Sequence, residues 1–153
     1  MIKFYTKVGK RVLGVIPEFF YFPGGELHLK ADPDTFVGQE IAYISGKANF
    51  EDYFMLNLWN QVVRSQGGTA HIFVPYLPAA RGDRGIPLGL APYRDLLVGA
   101  ADGAEIHVLD AHSSLAVKHY EDRGASVTNH RITDFPDLVR KVFPKYDGII
   151  APD

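Results

Sequence analysis

The stretch from Ile41-Ala42-Tyr43-Ile44 through Asn49-Phe50-Glu51-Asp52 to Ala70-His71-Ile72-Phe73-Val74 reads as strand, helix, strand. Ile41 to Ile44 is a short apolar run halted by Gly46, the pattern of a buried strand. Asn49 is a helix N-cap, and Glu51 and Asp52 put acids where the first turn favours them. Met55, Leu58, Trp59, Val62 and Val63 then fall at i, i+3, i+4, i+7 and i+8, one apolar stripe of a helix that stops at Gly67-Gly68. Ala70 to Val74 follows as a second strand.

Downstream, the same alternation continues. A loop rich in Pro, Gly and Arg runs from Pro75 to Pro87, and a helix is expected over Pro92 to Ala101 with Leu96, Leu97 and Ala100 on its buried side. Ile106-His107-Val108-Leu109 is a third strand. Ser113 or Ser114 caps a helix that Gly124 ends, and Ala125-Ser126-Val127 is a weaker strand. Thr133 or Asp134 begins a last short helix through Leu138, Val139, Val142 and Phe143, before a final strand over Asp147 to Ala151. Upstream, the first 38 residues are less regular and suit an antiparallel hairpin or edge strand. Repeated strand–helix units predict an α/β fold, a three-layer, mainly parallel sheet with helices on both faces and a small antiparallel element near the N-terminus.

Composition bounds the function. A length of 153 residues fits one domain with a real core. Apolar residues at 46% and charged residues at 22% argue against disorder. The net charge of 16 − 18 = −2 offers no nucleic-acid surface. No apolar run approaches the roughly 18 residues that span a bilayer. Zero Cys excludes disulfides, thiolate metal sites and a Cys nucleophile, and with no apolar leader at Met1 to Lys7 it predicts a soluble, cytoplasmic protein.

Ligands of open α/β sheets collect beyond the carboxyl ends of the strands. Three polar clusters fall there: Arg81-Gly82-Asp83-Arg84 after Val74, Asp110-Ala111-His112 after Leu109, and Asp153 after Ile149-Ile150-Ala151-Pro152. Two arginines can clamp phosphate oxygens with forked donors, and a His–carboxylate pair can hold a cation. Each cluster alone also fits a solvated turn, a capping acid or a chain end; their shared edge points to a metal–phosphate substrate such as a nucleotide. Phosphate-loop, dinucleotide, nucleophile-elbow and zinc-helix motifs are absent. His28, His71, His107, His119 and His130 are dispersed along the chain, which assigns them surface or packing roles. Phe19-Phe20-Tyr21-Phe22 suits core or interface.

With these motifs the sequence resembles ribose-phosphate diphosphokinase. Phe22-Pro23-Gly24-Gly25-Glu26 is similar to that family's Phe-x-Asp-Gly-Glu, and Pro75-Tyr76 with Ala80-Arg81-Gly82-Asp83-Arg84 to its Pro-Tyr-x-x-Tyr-Ala-Arg-Gln-Asp-Arg. Asp110-Ala111-His112 resembles its Asp-Leu-His, and Ala151-Pro152-Asp153 its Ser-Pro-Asp. The resemblance implies a phosphoribosyltransferase-like fold and transfer of the β,γ-diphosphoryl group of ATP to ribose 5-phosphate or a related sugar phosphate, releasing AMP. It implies that Phe22 and Glu26 touch adenine, across a subunit interface of a homo-oligomer. Arg81, with Asp83 and Arg84 in the same loop, serves the ATP phosphates. His112, Asp153 and Asp110 serve Mg2+, and His112 and Arg81 are the expected catalytic residues. Gly24 and Gly82 depart from the family's Asp and Gln. The family's later catalytic and ribose-phosphate loops have no counterpart in residues 1–153, so the expectation is one N-terminal domain that is inactive alone. A silent regulatory or assembly companion and a metal-dependent phosphohydrolase are the competing readings.

Overall fold

The structure, a computed structural model, describes residues 1–131. Its centre is a six-stranded sheet in the order β2-β1-β5-β6-β7-β8. The strands are β1 (Ile2–Val8), β2 (Arg11–Val15), β5 (Gln39–Ile44), β6 (Thr69–Val74), β7 (Glu105–Leu109) and β8 (Ser126–His130). A separate hairpin pairs β3 (Glu18–Tyr21) with β4 (Leu27–Lys30). β1 is antiparallel to both β2 and β5, whereas β5 to β8 are parallel throughout. The irregular first 38 residues are thus two antiparallel hairpins, the second separate from the main sheet.

Three helices connect the parallel strands: α1 (Phe50–Ser65), α2 (Ala91–Ala100) and α3 (Ser114–Glu121). Because β5, β6, β7 and β8 lie side by side in chain order, successive right-handed crossovers put all three helices on one face. That face carries the core. Ala42, Ile44, Ala70, Ile72, Val74, Ile106 and Val108 alternate into it from the strands. Trp59, Leu56, Leu97 and Tyr120 meet them from the helices, and Trp59 packs its ring 5.2 Å from that of Phe4. The described helices form one layer; the helix expected over residues 134–143, the final strand and Asp153 lie outside the described residues.

Local chemistry explains the helix limits. Asn49 accepts from the Asp52 amide at 2.8 Å while Asp52 accepts from the Asn49 amide at 3.0 Å, a complete capping box. Ser113 caps α3 by accepting from the Ala116 amide at 3.0 Å. The buried line of α1 is Tyr53, Leu56, Trp59, Asn60 and Val63. This corrects the predicted stripe: Trp59 and Val63 keep their place, but Met55, Leu58 and Val62 are half-buried at its flank. Asn60 is drawn inside because its side-chain amide donates to the carbonyls of Ala100 and Asp102 at 3.2 and 2.9 Å. Likewise α2 buries Arg94, Leu97 and Ala100, leaving Leu96 half-buried.

The opposite face is different. His71 and Phe73 on β6, Glu105 and His107 on β7, and Thr128 and His130 on β8 alternate outward, and no described helix covers them. Three of the five histidines that are dispersed in the sequence therefore meet on adjacent strands, where their rings pack on a surface face of the sheet. Register across strands, invisible in linear spacing, brings them together.

Candidate functional site

Beyond the carboxyl ends of β6 and β7 lies a cavity of about 340 Å³. Tyr76, Leu77, Ala80, Arg81, Asp110 and His112 are among its lining residues. Two of the three clusters singled out in the sequence therefore share one cavity, since parallel neighbours end on the same side.

The loop after β6 is held in shape by its own anchors. Leu77 and Ala80 are buried, and Ala80–Gly82 forms a single 3-10 turn entered through Ala79 at φ +53°. The Leu90 amide donates to the Gly82 carbonyl at 3.1 Å. A Cβ at position 82 would stand 3.3 Å from the Gly89 backbone, so glycine lets the loop close on itself there. Asp83 is buried, and its carboxylate accepts from the Ser113 hydroxyl at the cap of α3. His119 Nε2 lies 3.1 Å from the Asp83 carbonyl. The acid ties the loop to α3, while Arg81 and Arg84 are left exposed.

At the end of β7 the backbone turns sharply. Asp110 sits at φ +46°, a conformation that aspartate tolerates better than most residues. Its amide donates to the His130 carbonyl at 2.7 Å, and the Ala111 amide donates to Asn129 Oδ1 at 3.1 Å. β8 thus holds the turn that presents Asp110 and His112. Asn129 lies past the expected strand end at Val127, so sequence reasoning misses its hold on this turn. Thr128, β-branched and next in line, was the available signal.

Phe22 and Glu26 are elsewhere. They bracket the turn of the β3–β4 hairpin, where the Phe22 amide donates to the Glu26 carbonyl at 2.9 Å and Gly25 takes φ +91°. Both are exposed, and neither lines the cavity of Arg81 and His112. Phe22 instead packs against Phe20 and His28, with ring centroids 5.0 and 5.5 Å away.

Electrostatics single out two more places. Burial raises the Glu40 carboxyl above the ordinary carboxylate range, against the lowering hydrogen bonds from Thr6 and Gly38. On the open sheet face, burial pushes His107 below the ordinary histidine range. The Thr128 hydroxyl, followed by the charges of the histidines, holds Glu105 below the usual carboxylate range.

The crystal structure of phosphoribosylpyrophosphate synthetase from Mycobacterium smegmatis is similar at a TM-score of 0.56 and 21% sequence identity. The likeness is one of fold. It covers 86% of this chain and 44% of that one, so the chain spans less than half the length of its structural neighbour. The phosphoribosylpyrophosphate synthetase fold accounts for the mainly parallel sheet with small antiparallel elements. No protein-family model and no curated protein matches the sequence. Among the described residues no helix is long and apolar enough to cross a membrane.

Proposed function

We propose that the chain is the ATP-side, N-terminal half of a ribose-phosphate diphosphokinase. The complete enzyme transfers the diphosphoryl group of ATP to ribose 5-phosphate or a related sugar phosphate and releases AMP. One observation carries the reading: Arg81, Asp110 and His112 line one cavity at the carboxyl edge of a sheet with the synthetase fold. In this reading Arg81 is the phosphate clamp and Arg84 adds positive charge at the loop. Asp83 acts by holding the loop to α3 through Ser113.

The residues fit a magnesium ion. Asp110 supplies a carboxylate oxygen with His112 beside it, and Mg2+ commonly takes only one or two protein ligands, the rest being water and phosphate oxygens. Asp153 is the third proposed ligand. Bound magnesium would neutralise developing charge on the transferred phosphates. His112 and Arg81, both lining the cavity, orient and stabilise those phosphates, which is the protein's main task in such chemistry. Phe22 and Glu26 join the site from a second copy of the chain, since their own hairpin lies outside this cavity.

Magnesium-dependent ATP binding, measured by calorimetry, tests the proposal. Binding should be lost in Arg81→Ala and in His112→Ala, and the 153-residue chain alone should release no AMP from ATP and ribose 5-phosphate. ATP binding that survives both substitutions would refute the site. The second reading, a regulatory or assembly companion, draws on Gly82, whose place against Gly89 leaves no room for a polar side chain at that position. Folded protein that binds no ATP would favour it.

A further inference from the structure

The open sheet face bears a group of donors that the proposed nucleotide site does not use. We propose that His71, Glu105 and His107 form a binding site for a divalent transition-metal ion, Zn2+ foremost. It stands on different residues from the Asp110–His112 pair.

Strand register assembles the group. His71 on β6 is directly opposite Glu105 on β7, and the two-residue period of a strand returns His107 to the same face. Three donor atoms converge as a result. His71 Nδ1 lies 3.1 Å from His107 Nε2, and Glu105 Oε2 lies 3.5 Å from the first and 3.6 Å from the second. A tetrahedral ion with bonds of about 2.0–2.1 Å spaces its ligands roughly 3.3–3.4 Å apart. The observed triangle matches one face of that tetrahedron and leaves a fourth position for water.

The surroundings orient each donor as metal ligands require. The Thr128 hydroxyl donates to Glu105 Oε1 at 2.7 Å and so leaves Oε2 for the ion. His130 Nε2 lies 3.1 Å from His107 Nδ1. A proton on that Nδ1, donated to His130, leaves Nε2 with a bare lone pair. Phe73 stacks on His107 at 4.6 Å and 15°, which fixes the plane of the ring. His71 and Glu105 also line a cavity of about 280 Å³ at the amino ends of β6 to β8, a route for an ion and its water. Two imidazoles and one carboxylate suit Zn2+, Co2+ or Ni2+ better than Mg2+, which takes mainly oxygen ligands and rarely two imidazoles.

The test uses the 153-residue chain stripped with chelator, then titrated with Zn2+ by calorimetry and with Co2+ by visible absorption. The expected result is one Zn2+ per chain and the intense ligand-field bands of four-coordinate Co2+, with no competition from excess Mg2+. His71→Ala and His107→Ala should abolish binding, and Thr128→Val should weaken it about 10-fold. His112→Ala should leave it unchanged, which separates this site from the proposed nucleotide site. Should a histidine variant fail to fold, Glu105→Gln on the half-exposed carboxylate decides, with at least a 10-fold loss expected. Absent Zn2+ binding, displacement by Mg2+, or binding that persists in Glu105→Gln and in the folded histidine variants would overturn the proposal.

Discussion

Glu40 is the residue whose chemistry most contradicts its surroundings. It is 1% exposed, and only Oε1 finds a side-chain partner, Thr6 at 3.0 Å. Among the described residues Oε2 has none. Its folded pKa is raised by burial, so the folded state prefers the protonated acid. Stability is therefore greatest below the ordinary carboxylate value and falls as pH rises through the folded one. Glu40→Gln should remove this fall and stabilise the protein by about 1–3 kcal/mol at neutral pH, the scale of an unpartnered buried polar group. Urea denaturation at pH 5 and pH 8 reads it out; an equal loss of stability in both proteins would contradict the assignment. Asn129 offers a second check. Its hydrogen bond to the Ala111 amide holds the turn that carries Asp110. Asn129→Ala should lower magnesium-dependent ATP affinity ~10-fold, the scale of an outer partner of a metal ligand, while circular dichroism is unchanged. Unaltered affinity would show that the turn holds itself.

At the scale of elements, α1 is the part most firmly tied to the rest. The Asn49–Asp52 box closes its start, and the Met1 amino group adds an ion pair to Asp52 at 2.6 Å. Asn49→Ala should cost about 1 kcal/mol, and Trp59→Ala, at the centre of the core, about 3–5 kcal/mol. Thermal denaturation can rank the two, and a larger loss for the cap would be unexpected. Helix limits were legible in the sequence because caps and glycine stops act within four residues. The buried face of α1 was less so. Asn60 turns inward for carbonyls of a helix end some forty positions away, and a count of apolar residues cannot see that. Arg94 lies outside the apolar count on α2 simply because it is charged. It is buried, and its guanidinium donates to Asp95 at 2.8 Å.

For the whole molecule, legibility followed the topology. Arg81, Asp110 and His112 could be grouped from sequence because parallel strands end on one edge, and all three line the cavity beyond the carboxyl ends of β6 and β7. The histidine cluster could not, because it depends on register across strands up to 36 positions apart. Phe22 and Glu26 line no part of that cavity, an arrangement compatible with the expected role across a subunit interface. If a second copy completes the site, Phe22→Asp should reduce self-association in sedimentation velocity and ATP affinity together. A loss of one without the other would separate the hairpin from the site.

The sequential order of β5, β6, β7 and β8 has a further consequence for how the chain reaches this structure. Each new parallel strand docks on the one made just before it, and each crossover helix lands beside its predecessor. Assembly can therefore advance outward from β5 as the polypeptide emerges, each step pairing strands 21 to 34 positions apart. Such a chain carries its unfinished edge forward during synthesis. The last described strand to gain a neighbour, β8, also holds the Asp110 turn, so the candidate nucleotide pocket takes shape only once β8 has docked.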